Sequence, residues 1–218
     1  MALSIEDVTS ALSSVMDPEL RAPITTLDMV GDISVSDSSL AVEIRLTIVG
    51  CPAADTIERD VRQALSGVAG ERSVELTVGV MTTDQRTSLI TRLRKGKSPT
   101  NPFTPDSLTR VIAVTSGKGG VGKSSITVNL AAAVSRQGFS VGIIDADVFG
   151  FSIPGLLGIP SLQPTQIDDM MLPPVAHDIK VLSIGMFLGS EQAVAWRGPL
   201  LHRTLEQFLT DSYFGDLD

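Results

Sequence analysis

The string GKGGVGKSS, Gly117 to Ser125, restricts this chain more than any other stretch, because it is a device for holding a nucleoside triphosphate. It follows the apolar run Val111-Ile112-Ala113-Val114 and leads into a helical pattern of Ile126, Val128, Leu130, Ala133 and Val134, which gives the strand, loop and helix order of a P-loop. Gly117, Gly119, Gly120 and Gly122 let the loop curl, with Lys118, Val121 and Ser125 between and after them. Backbone N–H groups then converge on phosphate oxygens, beside the partial positive charge of a helix N-terminus. Lys123 is expected to reach the β- and γ-phosphates. Ser124 places a hydroxyl where a Mg²⁺ ion bridging those phosphates takes a ligand.

The chain has 218 residues, 43% of them hydrophobic, enough for one large or two small cores. MALSIEDV carries no basic segment ahead of an apolar stretch, and no run approaches the roughly 20 apolar residues of a membrane span. A single cysteine excludes an intramolecular disulfide framework and fits a reducing compartment. The expectation is a cytoplasmic protein acting on no membrane. A net charge of −8 argues against a general nucleic-acid surface, which needs clustered positive charge to displace phosphate counterions.

Residues 1–94 read as a first domain. Ser4 and Asp7 have capping-box spacing, and Ile5, Val8, Leu12 and Val15 fall on one helical face, ended by Asp17-Pro18. Val30 to Ser36 and Leu40 to Ile48 read as strands about an Asp37-Ser38-Ser39 turn. Pro52 suits a first helical position, so Ala53 to Leu65 is predicted helical, broken by Gly67 and Gly70 before a strand carrying Val74, Leu76, Val78 and Val80. Residues 84–94 close the unit as a helix. The order αββαβα describes a small α+β domain on a three-stranded sheet. Cys51, just ahead of Pro52, has two readings: a thiolate favoured by a helix N-terminus, or a small buried residue at a tight turn.

Residues 95–108 contain KGKSPTNPFTPDS, rich in proline and small polar residues, and read as a linker. In residues 109–218 the strand and P-loop are followed by a helix stopped at Gly138 and a strand over Ser140 to Ile144, a βαβ unit with a parallel sheet. Asp145 and Asp147 follow in DADVFGFSIP. Carboxylates two residues apart at a strand's C-terminal end can orient a water or contact hydrated Mg²⁺. Asp147 is the expected water-positioning residue, and Asp145 a Mg²⁺-shell or switch residue. Gln166 to Leu172 and Ile179 to Ile184 read as strands about Pro173-Pro174, and Leu200 to Leu209 as a helix. Met170, Met171 and Met186 read as packing, and His177 and His202 are isolated from other metal-ligand candidates. Trp196-Arg197-Gly198-Pro199 reads either as a partner contact or as a structural turn.

Three resemblances add to this reading. KGGVGKS resembles the deviant P-loop of the MinD, ParA, ArsA and nitrogenase iron-protein superfamily, which implies a homodimer in which Lys118 crosses to the partner's nucleotide. DPELRAPITTLDMV with LTIVGCP resembles the PaaD-like domain of iron-sulfur assembly proteins, apart from Asp28-Met29 where that family usually has Gly-Met. SGKGGVGKSS, DADVFGFSIP and WRGPLLHRTLEQFL together are similar to the Mrp/ApbC iron-sulfur cluster carrier ATPases, apart from Phe149 and Phe151 where many members have Tyr and Pro. The implied architecture is an α+β PaaD-like domain followed by an α/β P-loop NTPase domain truncated at its C-terminus.

That resemblance implies ATP hydrolysis with catalytic Lys118, Lys123 and Asp147, driving transfer of 4Fe-4S clusters from donors to apo iron-sulfur proteins. It also implies that the Walker B strand, the adenine pocket and a CxxC cluster pair lie beyond Asp218, in a protein of roughly 370 residues. The alternatives are a MinD/ParA-type positioning ATPase, or an interaction module acting through residues 1–94.

Overall fold

Ser4 starts the first helix as its spacing requires. Its Oγ accepts from Asp7 N at 3.1 Å, and Asp7 Oδ2 accepts from Ser4 N at 3.0 Å, closing a capping box ahead of α1, Ile5–Leu12. The computed structural model describes residues 3–95, 107–147, 150–187 and 198–218, with side chains from 202 onward in the last stretch. The chain forms two compact units, Met1–Gly96 and Lys97–Asp218.

In the first unit α1 ends at Leu12, well before Asp17. Ser13 and Ser14 turn their hydroxyls back onto Ser10 O and Ala11 O at its end, and further on the buried Asp17 carboxylate accepts from Glu19 N at 2.8 Å and Leu20 N at 2.7 Å, folding DPEL into a turn. Short strands β1, Met16–Asp17, and β2, Ala22–Pro23, pair across it. Strands β3, Val30–Val35, and β4, Ser39–Leu46, form an antiparallel pair with an irregularity between Val30 and Ile33. Helix α2, Ala54–Ala69, carries the chain to β5, Ser73–Val80, which lies parallel to β4. The sheet order is β3-β4-β5, and α3, Thr83–Leu93, closes the unit behind a second capping box at Thr82. Leu40, Val42, Ile44 and Leu46 alternate into a core with Val8, Leu12, Ile57, Val61 and Leu65. Two sequence expectations fail at boundaries. Gly67 sits inside α2 without breaking it, at the ~1 kcal/mol a helical glycine costs, and Gly70 is the actual stop; Ile48 falls beyond the end of β4.

The second unit is organised on a parallel pair. Helix α4, Lys123–Ser135, precedes β6, Val141–Asp145, which pairs with β10, Ile179–Ser183, from Ile179↔Val141 to Ser183↔Asp145. Between them come the short α5, Ile153–Leu156, the hairpin β7, Thr165–Ile167, with β8, Met170–Leu172, and β9, Val175–Ala176, antiparallel to β10. A 3₁₀ turn, Ile184–Phe187, and α6, Gly198–Thr210, follow. All of β10 is buried, as a strand covered on both faces must be. Ile143, Ile179, Val181, Ile153 and Met186 form one cluster with Ala131 of α4, and Leu182, Ile184, Phe208 and Phe214 form another.

Here the predicted βαβ unit needs correction. Val111–Val114 forms no strand: Val111 is 73% and Ile112 67% exposed, and the bonds on this side are made by Thr109 and Arg110, just ahead of the segment. Leu217 and Asp218 enter beside it. Thr109 Oγ1 donates to Leu217 O at 2.9 Å and Arg110 N to Asp218 O at 3.3 Å, while Asp218 N donates to Ser140 O at 3.2 Å on the β6 side. The run and β6 are therefore separate walls, and an apolar segment becomes a strand only when a neighbour pairs its backbone. The parallel partner of β6 is β10 instead. The strand expected over Gln166 to Leu172 is the β7–β8 hairpin, because Asp168 turns the chain with φ 50°.

Candidate functional site

Gly122 caps α4 with φ 89°, and Gly120 has φ 71°, so both occupy the left-handed region a non-glycine residue enters only at a cost. The consequence is a loop that reverses into the helix start. No side chain caps α4 and no acid lies in its first turn, which leaves that helix terminus disposed toward an anion. Ser116 braces the loop, its Oγ accepting from Lys118 N and lying 3.1 Å from Lys118 O. Gly117, Lys118, Gly119, Val121 and Ser125 are exposed, and Lys123 and Ser124, on the first turn of α4, are half-buried.

Asp145 and Asp147 leave the C-terminal end of β6 in contrasting surroundings. Asp147 is exposed, with its carboxylate close to Gly150. Asp145 is 6% exposed and holds its own loop together. Its Oδ1 accepts from Asp147 N at 3.2 Å, and its Oδ2 accepts from Ile153 N at 3.4 Å and from Ser183 Oγ at 3.2 Å. Burial pushes the Asp145 carboxyl above the usual carboxylate range; these hydrogen bonds oppose the shift and the Asp147 charge adds to it. Lys123, Ser124, Asp145 and Asp147 line one groove of about 1070 Å³, which runs on between the Val111–Val114 segment and the outer edge of β6. The fold thus brings together a lysine, a hydroxyl and two carboxylates from two separate stretches of sequence. Ser124 and the two carboxylates carry hard oxygens of the kind Mg²⁺ takes as ligands.

Other candidates fall elsewhere. Cys51 is buried, and α2 begins only at Ala54 with Ala53 as its cap. Burial pushes the Cys51 thiol up, and the Glu19 and Asp17 charges push it further against hydrogen bonds from Ala53 and Thr47. The thiolate reading is therefore corrected: desolvation and two neighbouring carboxylates outweigh a helix terminus that starts too late. Met170 and Met186 pack in cores, and His177 lies in the left-handed turn between β9 and β10. Trp196, Arg197 and Phe149 lie outside the described residues. Among the described residues no cluster of three His, Cys, Asp or Glu side chains could hold a metal ion, and no helix is long and apolar enough to cross a membrane. Asp28, where glycine was expected, adopts φ 54°, and Arg92 Nη1 meets its Oδ2 at 2.6 Å, so the glycine-type backbone is kept.

The family model described as NUBPL iron-transfer P-loop NTPase matches residues 107–218. The chain belongs to this family. A second model, iron-sulfur cluster assembly protein, matches residues 5–78. The chain is 52% identical to the iron-sulfur cluster carrier protein of Mycobacterium tuberculosis H37Rv over 97% of its own length and 56% of that protein's. The Deinococcus radiodurans protein of the same name is 40% identical over 95% of this chain and 55% of its own. The chain thus spans about half the length of the curated relatives it matches.

Within this NTPase the sequence reading missed Ser183. It is fully buried, ends β10 opposite Asp145, and donates to it. A serine closing the otherwise apolar run Val181-Leu182 before Ile184-Gly185 was the available signal, since a buried hydroxyl needs a partner.

Proposed function

We propose that this chain is the nucleotide-binding part of an iron-sulfur cluster carrier in which ATP binding and hydrolysis drive delivery of a 4Fe-4S cluster to apo proteins. The observation that carries the reading is the shared groove: Lys123 and Ser124 on the first turn of α4 meet Asp145 and Asp147 from the end of β6. The names of relatives spanning both units supply the cargo. Lys123 neutralises the terminal phosphates, the uncapped α4 terminus and the P-loop N–H groups hold their oxygens, and Asp147 orients the attacking water. Mg²⁺, when bound through Ser124, neutralises charge on the phosphates. Asp145 acts through its loop, since its oxygens already accept from three protein donors.

Lys118, exposed on the loop, fits a homodimer in which each subunit's lysine reaches the other's nucleotide. The cluster ligands, the adenine pocket and the Walker B carboxylate are assigned by this reading to the part of the relatives' length that the chain does not span. Lys123→Ala in the complete protein should bind a fluorescent ATP analogue poorly. Unchanged affinity in that variant would remove the basis of the assignment.

A further inference from the structure

The loop that carries Asp147 is held from outside by the end of β10. Ser183 Oγ, 0% exposed, donates to Asp145 Oδ2 at 3.2 Å and accepts from Gly185 N at 3.3 Å. One hydroxyl therefore joins a carboxylate of the groove to the backbone of the 3₁₀ turn. A second contact lies two residues on: Phe151 of the same loop packs so closely over Gly185 that an added Cβ would overlap its ring. Asp145 in turn holds the loop at two amides, Asp147 N and Ile153 N. Remove the Ser183 hydroxyl and the buried Oδ2 keeps only its longest donor, at 3.4 Å.

We propose that Ser183 is a positioning residue for ATP hydrolysis, fixing Asp145 so that its bond to Asp147 N presents Asp147 to the groove, with the Phe151–Gly185 contact as a second anchor. Ser183 lines no part of the groove itself and acts through Asp145. Its loss should therefore lower turnover and leave nucleotide affinity alone, because affinity resides in the P-loop and α4.

The inference rests on the ATPase reading, and the test separates the two. In the complete protein, kcat, KM and the Kd for an ATP analogue are measured for Ser183→Ala and for the isosteric pair Ser183→Thr and Ser183→Val. The threonine keeps the hydroxyl, and both add the same bulk. Ser183→Ala should lose about tenfold in kcat with Kd within twofold, a modest part of the roughly 10²-fold that a 1 Å misplacement can cost. Ser183→Thr should exceed Ser183→Val by a similar factor, and Ser183→Ala should add little in an Asp145→Asn background.

Hydrogen exchange of peptides covering 145–153, without nucleotide, should be faster in Ser183→Ala while peptides of α4 are unchanged. A parent protein without ATPase activity sinks the functional reading, and the Ser183 role in hydrolysis with it. An active parent in which Ser183→Ala keeps its kcat, loses affinity in step with kcat, or fails to fold overturns the inference alone. Equal threonine and valine variants do the same.

Discussion

At the scale of single residues, burial decides which chemical groups can act. Cys51 and Asp145 both sit where desolvation raises the pKa, but with different results: the thiol is kept neutral at ordinary pH, and the carboxylate is kept in place by three donors. Alkylation of Cys51 by iodoacetamide should accordingly be slow at neutral pH. Its rate should rise only above the ordinary thiol value of about 8.5, the sign expected when the protonated form is favoured. A rate profile with its midpoint below that value would contradict the burial argument. Lys118 is exposed on a glycine-rich loop. Lys118→Ala should retain ATP binding and lose turnover by a clear factor, smaller than the roughly 10³ to 10⁵ an arginine finger contributes. Mixing it with Lys123→Ala should restore part of the rate. Verified mixed dimers without recovery would count against a lysine working in trans.

At the scale of elements, helix starts were readable and helix and strand ends less so. Ser4 with Asp7 and Thr82 with Gln85 close capping boxes through contacts three residues apart, so local sequence suffices. Ser4→Ala should cost about 1 kcal/mol in the denaturant transition of the first unit. Equal midpoints for variant and parent would show that α1 is held by packing alone. The continuation of α2 past Gly67 depended on a tolerated glycine. Val111–Val114 is the clearest case of an element that pattern cannot decide. Its apolar composition has strand character, but a strand exists through a neighbour's backbone groups, and Leu217 and Asp218 bond only Thr109 and Arg110, just ahead of it.

At the scale of the whole molecule, the second unit carries an open seam. The groove between Val111–Val114 and β6 is lined by apolar side chains of both walls and by Leu130, Ala131 and Val134 of α4, with Leu217 and Asp218 also on its lining. A strand supplied by the part of the relatives' length that this chain does not span is expected to enter this seam. Amides of β6 directed away from β10 should then exchange slowly in the complete protein and rapidly in the 218-residue chain. Equal exchange in both would place that strand elsewhere. The same comparison should find ATP hydrolysis near background in the shorter chain, since a P-loop grips phosphates without the Walker B carboxylate to complete the Mg²⁺ shell.

The P-loop, the capping boxes, the alternation of β4 and the acids of DADVFGFSIP were legible in the sequence because each is a short-range pattern with its chemistry inside a few residues. Tertiary structure alone decided that β6 pairs with β10, that Ser183 meets Asp145 from thirty-eight positions away, and that Cys51 lies among Asp17, Glu19 and Thr47. Those facts depend on which distant backbones share a ladder and which side chains lose their water. Neither is written in any one stretch of chain.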